Sequence, residues 1–208
     1  MQVLRLRENY FTSRTFVAVE SNEAIIVDAG VELDTVRQAL NEANNPKVLA
    51  ILLTHAHYDH ILHLQDYINY FDCDVYVSSK GVDNLQDTVA NYSKFVQLDI
   101  VIAGDRIKSL PQNNKLSIGH FTVDILHTPG HTDDSVCYIM ANSMFTGDTI
   151  FSNTIGRTDL INSSYEQMKQ SIKLLNNYTY LDNYYPGHGK VFTAKELQDL
   201  MTYLKQVM

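Results

Sequence analysis

The spacing of apolar residues divides the first third of the chain into strands and helices. Two β-rich runs at 15–19 and 24–27, separated by a short polar turn, predict a hairpin. Apolar residues then recur at every third or fourth position across 32–44, which predicts an amphipathic helix. The run 48–53 is short and continuously apolar, so it predicts a strand buried on both faces. Helical spacing returns after it with Ile61, Leu64, Ile68 and Phe71.

Further strands are predicted in the middle of the chain. Residues 74–78 alternate as a strand does, whereas 79–98 have no clear period and fit either a short helix or a polar lid. Three strand-like stretches follow at 115–119, 121–126 and 135–146, and turn-forming residues interrupt them. We therefore expect a meander in the second half.

Two capping boxes predict the last helices. In each of them a hydroxyl residue precedes a glutamate by three positions, as in Ser163 with Glu166 and Thr193 with Glu196. An apolar stripe follows each box. No linker, repeat or low-complexity stretch divides the sequence, so residues 1–208 are expected to form a single domain.

Composition and charge narrow the range of functions. The chain has 208 residues, of which 45% are hydrophobic, so it can bury a sizeable core. Its formal charge is −8 and it has no basic run, which disfavours a nucleic-acid partner and favours a small-molecule substrate. Neither a secretory signal nor an apolar run of membrane-spanning length is present, so we expect a cytoplasmic protein without a membrane partner. The oligomeric state has no signal in the sequence.

A cluster of histidines and a carboxylate directly follows the predicted buried strand. Its members are His55, His57, Asp59 and His60. Imidazoles at a buried strand end need partners, because an unpaired polar group there costs about 1–3 kcal/mol. Alternation along the chain points His55 and His57 to the same side, where both can reach one metal ion, and places Asp59 and His60 to reach a second. A lone His-x-His pair would be weak evidence for a metal site, but the full pattern is much more specific.

Three later turns offer additional ligands. His131 follows the rigid turn Thr128-Pro129-Gly130. Asp148 follows an apolar run, where its carboxylate could bridge two ions, although by itself it would be interpreted as a turn residue. His188 lies between two glycines in Pro-Gly-His-Gly. Two divalent ions need more ligands than the first cluster supplies, and these residues could provide them.

Several other residues have alternative interpretations. Asp28 could orient a ligand histidine from behind or simply end a strand. Arg157 could bind a substrate carboxylate or pair with Asp159. His127 could support the site or end a strand, and we assign no role to His63 and His120. Cys73 and Cys137 lack the spacing of a redox pair or a zinc knuckle.

Together, these motifs resemble those of the metallo-β-lactamase superfamily, in the family's order, over about residues 15–190. The resemblance implies an α/β fold, a four-layered αβ/βα sandwich of two mixed β-sheets flanked by helices. It also implies two divalent metal ions, with Zn²⁺ expected and Fe or Mn as alternatives. The resemblance assigns the first ion to His55, His57 and His131, the second to Asp59, His60 and His188, and the bridging position to Asp148.

The resemblance further implies a hydrolase in which a hydroxide bridging the two metals attacks a carbonyl group. Asp59 and Asp148 are the expected catalytic residues, since they hold the two metals apart and can relay the proton. The stretch 147–159 is most similar to those of small glyoxalase II-like hydrolases and of persulfide dioxygenases, and it does not distinguish between them. For a hydrolase of this kind, a small thioester or ester is the expected substrate. Asp148 disfavours β-lactams, because family members that hydrolyse them have cysteine or another residue at this position.

Other activities on the same scaffold remain open at this point. They are a mononuclear iron persulfide dioxygenase, a lactonase, a phosphodiesterase and a module without catalytic activity. The chain also departs from the family pattern: Leu62-His63 and Ile161-Asn162 stand where glycine pairs are common. Only 20 residues follow His188, so the helical domain that contacts glutathione in glyoxalase II is not expected here.

Overall fold

The computed structural model describes residues 1–7 and 12–207 and contains two six-stranded β-sheets. The first sheet begins with three antiparallel strands and continues with parallel ones, so it is mixed. Its strands, in spatial order, are β1 (Gln2–Leu6), β2 (Thr15–Glu20), β3 (Glu23–Val27), β4 (Lys47–Leu52), β5 (Asp74–Val77) and β6 (Ile107–Ser109).

The second sheet is antiparallel except for one parallel pair, β10 with β11. Its strands, in chain order, are β7 (Lys115–Ile118), β8 (Phe121–His127), β9 (Val136–Met140), β10 (Ser143–Gly147), β11 (Asn183–Pro186) and β12 (Phe192–Thr193). In space they follow the order β12-β11-β10-β9-β8-β7. As a result, β8, β10 and β11 all run in the same direction.

Helices connect the strands and cover the outer faces of the sheets. The α-helices are α1 (Leu33–Glu42), α2 (Tyr58–Ile61), α3 (Leu64–Phe71), α4 (Ser79–Asn84), α5 (Tyr165–Leu175) and α6 (Ala194–Val207). Two short 3₁₀ helices lie at Ser93–Val96 and Asn176–Tyr178. Within the described part of the chain, none of the helices has the length and apolar character that crossing a bilayer would require.

Three apolar cores separate the layers. Ile51 and Leu53 belong to the core between the first sheet and helices α1 and α3, whereas Leu52 faces the core between the two sheets. Met144 and Tyr184 belong to a third core, beneath α5 and α6. This order of helix, sheet, sheet and helix is the predicted four-layered α/β sandwich. The predicted strand at 48–53 is indeed buried on both faces.

Several elements match the sequence prediction and others correct it. The hairpin, the first helix and the meander form as predicted, and the run 135–146 is a hairpin of β9 and β10. The helix predicted after the histidine cluster is interrupted at Leu62-His63, which divides it into α2 and α3. The undecided stretch 79–98 contains α4 and a 3₁₀ turn. The sequence pattern does not predict strands β1, β6, β11 and β12.

One predicted helix start was wrong by one residue. The N-cap of α5 is Ser164, whose Oγ accepts a hydrogen bond from the backbone N–H of Gln167. The hydroxyl of Ser163 is engaged elsewhere, because it donates to the carbonyl of Leu160 at 2.7 Å. The capping box of Thr193 and Glu196 is confirmed, since each side chain accepts a hydrogen bond from the other's backbone N–H.

Candidate metal centre

The predicted ligands come together where strands of both sheets end. The histidine cluster follows β4, His131 follows β8, Asp148 follows β10 and His188 follows β11. Backbone hydrogen bonds join these ends across the two sheets, for example from Val136 N to Thr54 O at 2.9 Å. Because β8, β10 and β11 run in the same direction, their carboxyl ends lie at one edge of the sheet. Ligands commonly bind at such an edge.

Three buried imidazoles form the first group. His55, His57 and His131 are at most 6% exposed, and one nitrogen of each lies within 4.8 Å of the others. Nε2 of His131 faces Nδ1 of His57 at 3.0 Å. The side chains of His55 and His57 thus point to the same side, as the alternation along the chain predicts.

A second group lies beside the first and is more open to solvent. It consists of Asp59, His60 and His188, whose ligand atoms also lie within 4.8 Å of one another. Nε2 of His188 is 2.9 Å from Oδ2 of Asp59, and Nε2 of His60 is 3.8 Å from the same oxygen. The side chain of His60 is fully buried, whereas that of His188 is 33% exposed. Solvent therefore reaches the centre from the side of His188.

Asp148 lies between the two groups. Its Oδ1 is 3.4 Å from Nε2 of His60, and its Oδ2 is 3.7 Å from Nε2 of His131 and 3.6 Å from Nε2 of His188. One carboxylate thus faces ligand atoms of both groups. This is the position that a bridging ligand would occupy.

The donor atoms fit divalent cations. Among the described residues, four side-chain atoms in this centre are buried without a hydrogen-bond partner: Nε2 of His55, His57 and His60, and Oδ1 of Asp148. Each such atom would cost about 1–3 kcal/mol if nothing bound it. Donor atoms around a tetrahedral ion with bonds of about 2.0–2.1 Å lie roughly 3.3 Å apart, close to the spacings found here. Imidazole with carboxylate suits Zn²⁺ and also iron or manganese.

The charges at the centre favour metal ligation by most of these groups. Burial, followed by the neighbouring imidazole of His131, lowers the pKa of His57 to about 3, so the ring is uncharged at neutral pH and one nitrogen lone pair is available. Burial also lowers the pKa of His55 well below its usual value. Burial would raise the pKa of Asp148, but His60 outweighs this and holds it well below its usual range.

His60 is the exception among these groups. Burial alone would lower its pKa, but the carboxylates of Asp28, Asp59 and Asp148 outweigh burial and raise it well above the usual value. The pocket of carboxylates therefore attracts positive charge at this position. A divalent cation bound at Nε2 would supply that charge in place of the second proton on the ring.

A layer of hydrogen bonds behind the ligands fixes their orientation. Asp28 is 1% exposed, and its Oδ2 lies 2.8 Å from Nδ1 of His60 and accepts from the hydroxyl of Thr54 at 2.8 Å. The same hydroxyl lies 3.2 Å from Nδ1 of His55. A proton on Nδ1 of each ring leaves the Nε2 lone pair directed into the centre. The arrangement at Asp28 is that of a residue orienting a ligand histidine.

Gly187 keeps the approach to the centre open. A Cβ atom at this position would lie 2.3 Å from Oδ1 of Asp148 and 2.5 Å from the His60 ring. The backbone directly after β11 therefore approaches the two ligands more closely than a residue with a side chain could. This explains why a glycine precedes His188.

The remaining predicted residues lie around the centre or away from it. The guanidinium of Arg157 pairs with Asp159 at 2.9 and 3.0 Å, and both side chains are exposed. The Arg157 carbonyl accepts a hydrogen bond from Nδ1 of His131 at 3.0 Å. Substrate binding by Arg157 stays a prediction. His127 is exposed at the end of β8, and His63 directly precedes α3. His120, in the turn between β7 and β8, pairs with Glu23 at the start of β3.

Sequence reasoning missed two residues near the centre. Asp134 is 2% exposed, and its Oδ2 accepts a hydrogen bond from the N–H of Ala56, between the two histidines of the His-x-His pair. The ring of Tyr92 contacts that of His57, with the ring centroids 5.5 Å apart. Asp134 is close to His131 in the sequence, and this closeness could have indicated a role near the centre. Tyr92 lies in the stretch without periodicity, and only the fold brings it to the centre.

Comparisons with known proteins identify the family of the chain. The family model described as the metallo-beta-lactamase superfamily matches residues 10–188. A Bacillus subtilis protein, named "Probable polyketide biosynthesis zinc-dependent hydrolase PksB", is 33% identical over 82% of this chain and 69% of its own length.

Solved structures show the same fold. The BLEG-1 B3 metallo-beta-lactamase superimposes with a TM-score of 0.87, at 30% identity over 98% of this chain and 99% of the other. TTHA1623, solved in a di-iron-bound form, has a TM-score of 0.78 at 22% identity over 93% of this chain and 96% of the other. At that identity, TTHA1623 supports the fold alone.

Proposed function

The chain belongs to the metallo-β-lactamase superfamily, and on that basis we propose that it cleaves a small thioester or ester at a centre of two divalent metal ions, with Zn²⁺ as the first candidate. Relatives named as zinc-dependent hydrolases and metallo-hydrolases support the broader class of activity. The observation that carries the proposal is the position of Asp148, within 3.4–3.7 Å of three imidazole nitrogens from both groups.

The two groups would divide the ions as the family motifs imply. His55, His57 and His131 would hold one ion, and Asp59, His60 and His188 would hold the other. When bound, such a pair of ions activates water as a nucleophile near neutral pH and polarises the carbonyl group of a substrate.

The residues of the chain perform the remaining tasks. Asp148 sets the separation of the two groups, because its two oxygens face different imidazoles. Asp59 and Asp148 are the acids beside the reacting position, so they are the groups that can receive and return a proton. Asp28 and Thr54 keep the rings of His60 and His55 turned toward the centre.

The preference for a thioester or ester rests on the centre's composition and on the chain's charge. Aspartate at position 148 is similar to the arrangement in glyoxalase II-like hydrolases. The net charge of −8 disfavours a polyanionic substrate such as nucleic acid. We therefore place small acyl compounds ahead of phosphodiesters.

A second candidate is β-lactam hydrolysis. It is favoured by the 30% identity to a protein named as a B3 metallo-beta-lactamase. A cephalosporin in the same substrate panel compares the two activities directly. Iron persulfide dioxygenase activity is the other alternative, and metal analysis with measurement of oxygen consumption separates it from hydrolysis.

The test combines metal analysis with turnover. We expect purified protein to bind two divalent ions per chain and to hydrolyse thioesters or esters in preference to the cephalosporin. Asp148→Ala should lose at least one ion and lower kcat/KM by about 100-fold or more. Asp199→Ala, at an exposed carboxylate on α6, is the matched control and should leave both measurements unchanged. A folded Asp148→Ala protein with two ions and normal turnover would refute the proposal.

A further inference from the structure

A segment of exposed apolar residues lies beside the centre and has no role in it so far. We call residues 91–101 the aromatic loop. Four of its apolar side chains are well exposed: Phe95 at 55%, Val96 at 39%, Leu98 at 47% and Val101 at 57%. Single exposed apolar residues are ordinary, but a group of them on one loop commonly marks a binding surface.

The backbone of the aromatic loop is held in place although its apolar side chains are exposed. Asn91 and Ser93 are fully buried at its base. The Asn91 side chain donates to the carbonyl of Ile100 at 2.8 Å and accepts from the N–H of Ser93 at 3.0 Å. The hydroxyl of Ser93 accepts from the N–H of Ile100 at 2.9 Å. The exposed residues are therefore presented by an ordered loop, which lowers the entropic cost of binding a ligand.

The aromatic loop is joined directly to the candidate metal centre. The N–H of Tyr58, which follows His57, donates to the carbonyl of Asn91 at 2.8 Å. The ring of Tyr92 lies edge-on to that of His57, and it also contacts the ring of Phe95 at a centroid distance of 4.8 Å. Tyr92 therefore connects the centre to an exposed aromatic side chain.

The conformation of Tyr92 also indicates a functional position. Its φ of +67° lies in the left-handed region, which non-glycine residues seldom adopt. Unfavourable backbone conformations of this kind persist where the surroundings fix them, often at binding sites. Here the conformation accompanies an aromatic ring that contacts both His57 and Phe95.

We propose that Tyr92 and Phe95 form the binding site for an apolar acyl group, so that the preferred substrates are thioesters or esters of medium-chain or aromatic acids. This inference rests on the proposed function, because it identifies the part of the substrate that lies beside the reacting carbonyl. In a thioester the acyl group carries the apolar chain, whereas the common thiol carriers are polar. An apolar surface beside the centre therefore suits the acyl group better than the thiol. Aromatic rings bind such chains by removing apolar surface from water.

The first measurement compares acyl chain lengths with a constant leaving group. Acetyl, butyryl, hexanoyl and octanoyl thioesters of N-acetylcysteamine should show kcat/KM rising by about threefold for each methylene that contacts the rings. Phe95→Ala should reduce kcat/KM for the octanoyl substrate by about tenfold and change that for the acetyl substrate by less than about twofold.

The matched control is Tyr70→Ala. Tyr70 is a 52% exposed aromatic residue on α3, and it packs against Phe71 and Arg37, away from the centre. Its removal should leave the chain-length preference unchanged. A second series, in which the thiol is varied and the acyl group is constant, should show no dependence on Phe95. Dependence on the thiol instead of the acyl chain would overturn the assignment.

The second measurement does not depend on turnover. Calorimetric titration with octanoate and acetate should show tighter binding of octanoate by the wild-type protein, and Phe95→Ala should weaken octanoate binding by about tenfold. Equal binding of octanoate by both proteins, with thioester turnover intact, would overturn the acyl site and leave the proposed function standing. Phe95-dependent octanoate binding without hydrolysis of any ester or thioester would support the site and overturn the proposed function.

Discussion

Replacing Asp28 with asparagine tests whether the layer behind the ligands controls metal binding. Asp28 accepts three hydrogen bonds of 2.8 Å, two from Thr54 and one from Nδ1 of His60. Its φ is +61°, a conformation that asparagine tolerates better than most residues. The substitution therefore preserves shape and backbone while it replaces one acceptor oxygen with an NH₂ donor.

Either orientation of the new amide creates at least one unfavourable contact. If its NH₂ group faces His60, the proton on Nδ1 has no acceptor, and the ring is driven to carry its proton on Nε2, where it prevents metal ligation. If the NH₂ group faces the Thr54 N–H instead, that buried donor loses its partner at a cost of about 1–3 kcal/mol. Loss of such a supporting carboxylate typically weakens metal binding by about 10- to 100-fold, or roughly 1.4–2.7 kcal/mol.

Competition with a chromophoric chelator measures the zinc affinity, and ¹⁵N NMR of the imidazoles identifies the tautomer of His60. Asp72→Asn is the control, because Asp72 also has a positive φ but lies at the exposed end of α3. Zinc affinity of Asp28→Asn within twofold of wild type, with the His60 proton still on Nδ1, would show that our account of this hydrogen bond is wrong.

Two further predictions concern the surroundings of the centre. Gly187→Ala should abolish binding of at least one metal ion while the fold is retained, because the new methyl group would overlap Asp148 and His60. Elemental analysis measures the bound metal and circular dichroism measures the fold, and full metal occupancy would contradict the predicted overlap. Burial raises the pKa of Asp134 from 3.8 to about 6, so the folded state binds this proton more tightly than the unfolded state. The contribution of Asp134 to the free energy of unfolding should therefore fall by about 3 kcal/mol as the pH rises from about 4 to about 6. Asp134→Asn should remove that fall in urea unfolding of the metal-free protein, and an unchanged pH dependence would contradict the assignment.

The main layers of the fold could be predicted because apolar spacing follows burial. The β4 strand is continuously apolar since one face meets helices and the other meets the second sheet. Strand β1 is only partly buried, so its sequence carries no strong alternation. Strand β6 has three residues, too few to show a period. Both strands form by pairing with a neighbour, which single-sequence patterns do not record.

The centre could be predicted in part because its ligands lie in recognisable motifs. His55 to His60 are adjacent in the sequence, and the glycines beside Asp148 and His188 mark turns. For Asp134 the one signal in the sequence is its closeness to His131, and Tyr92 has no such signal. Asp134 acts on the backbone of Ala56, and Tyr92 reaches His57 through a left-handed turn, so their roles depend on contacts that arise only in the folded chain.

The separation of the ligands along the chain has a consequence for folding kinetics. Asp59 and His188 are 129 residues apart, and His57 and His131 are 74 apart. Contacts of such long range form late, because the loops between them must close first. Metal ions bound by both groups would then act mainly after the rate-limiting step of folding, so they would slow unfolding far more than they accelerate folding. The same ions that serve the chemistry would thereby lengthen the lifetime of the native state.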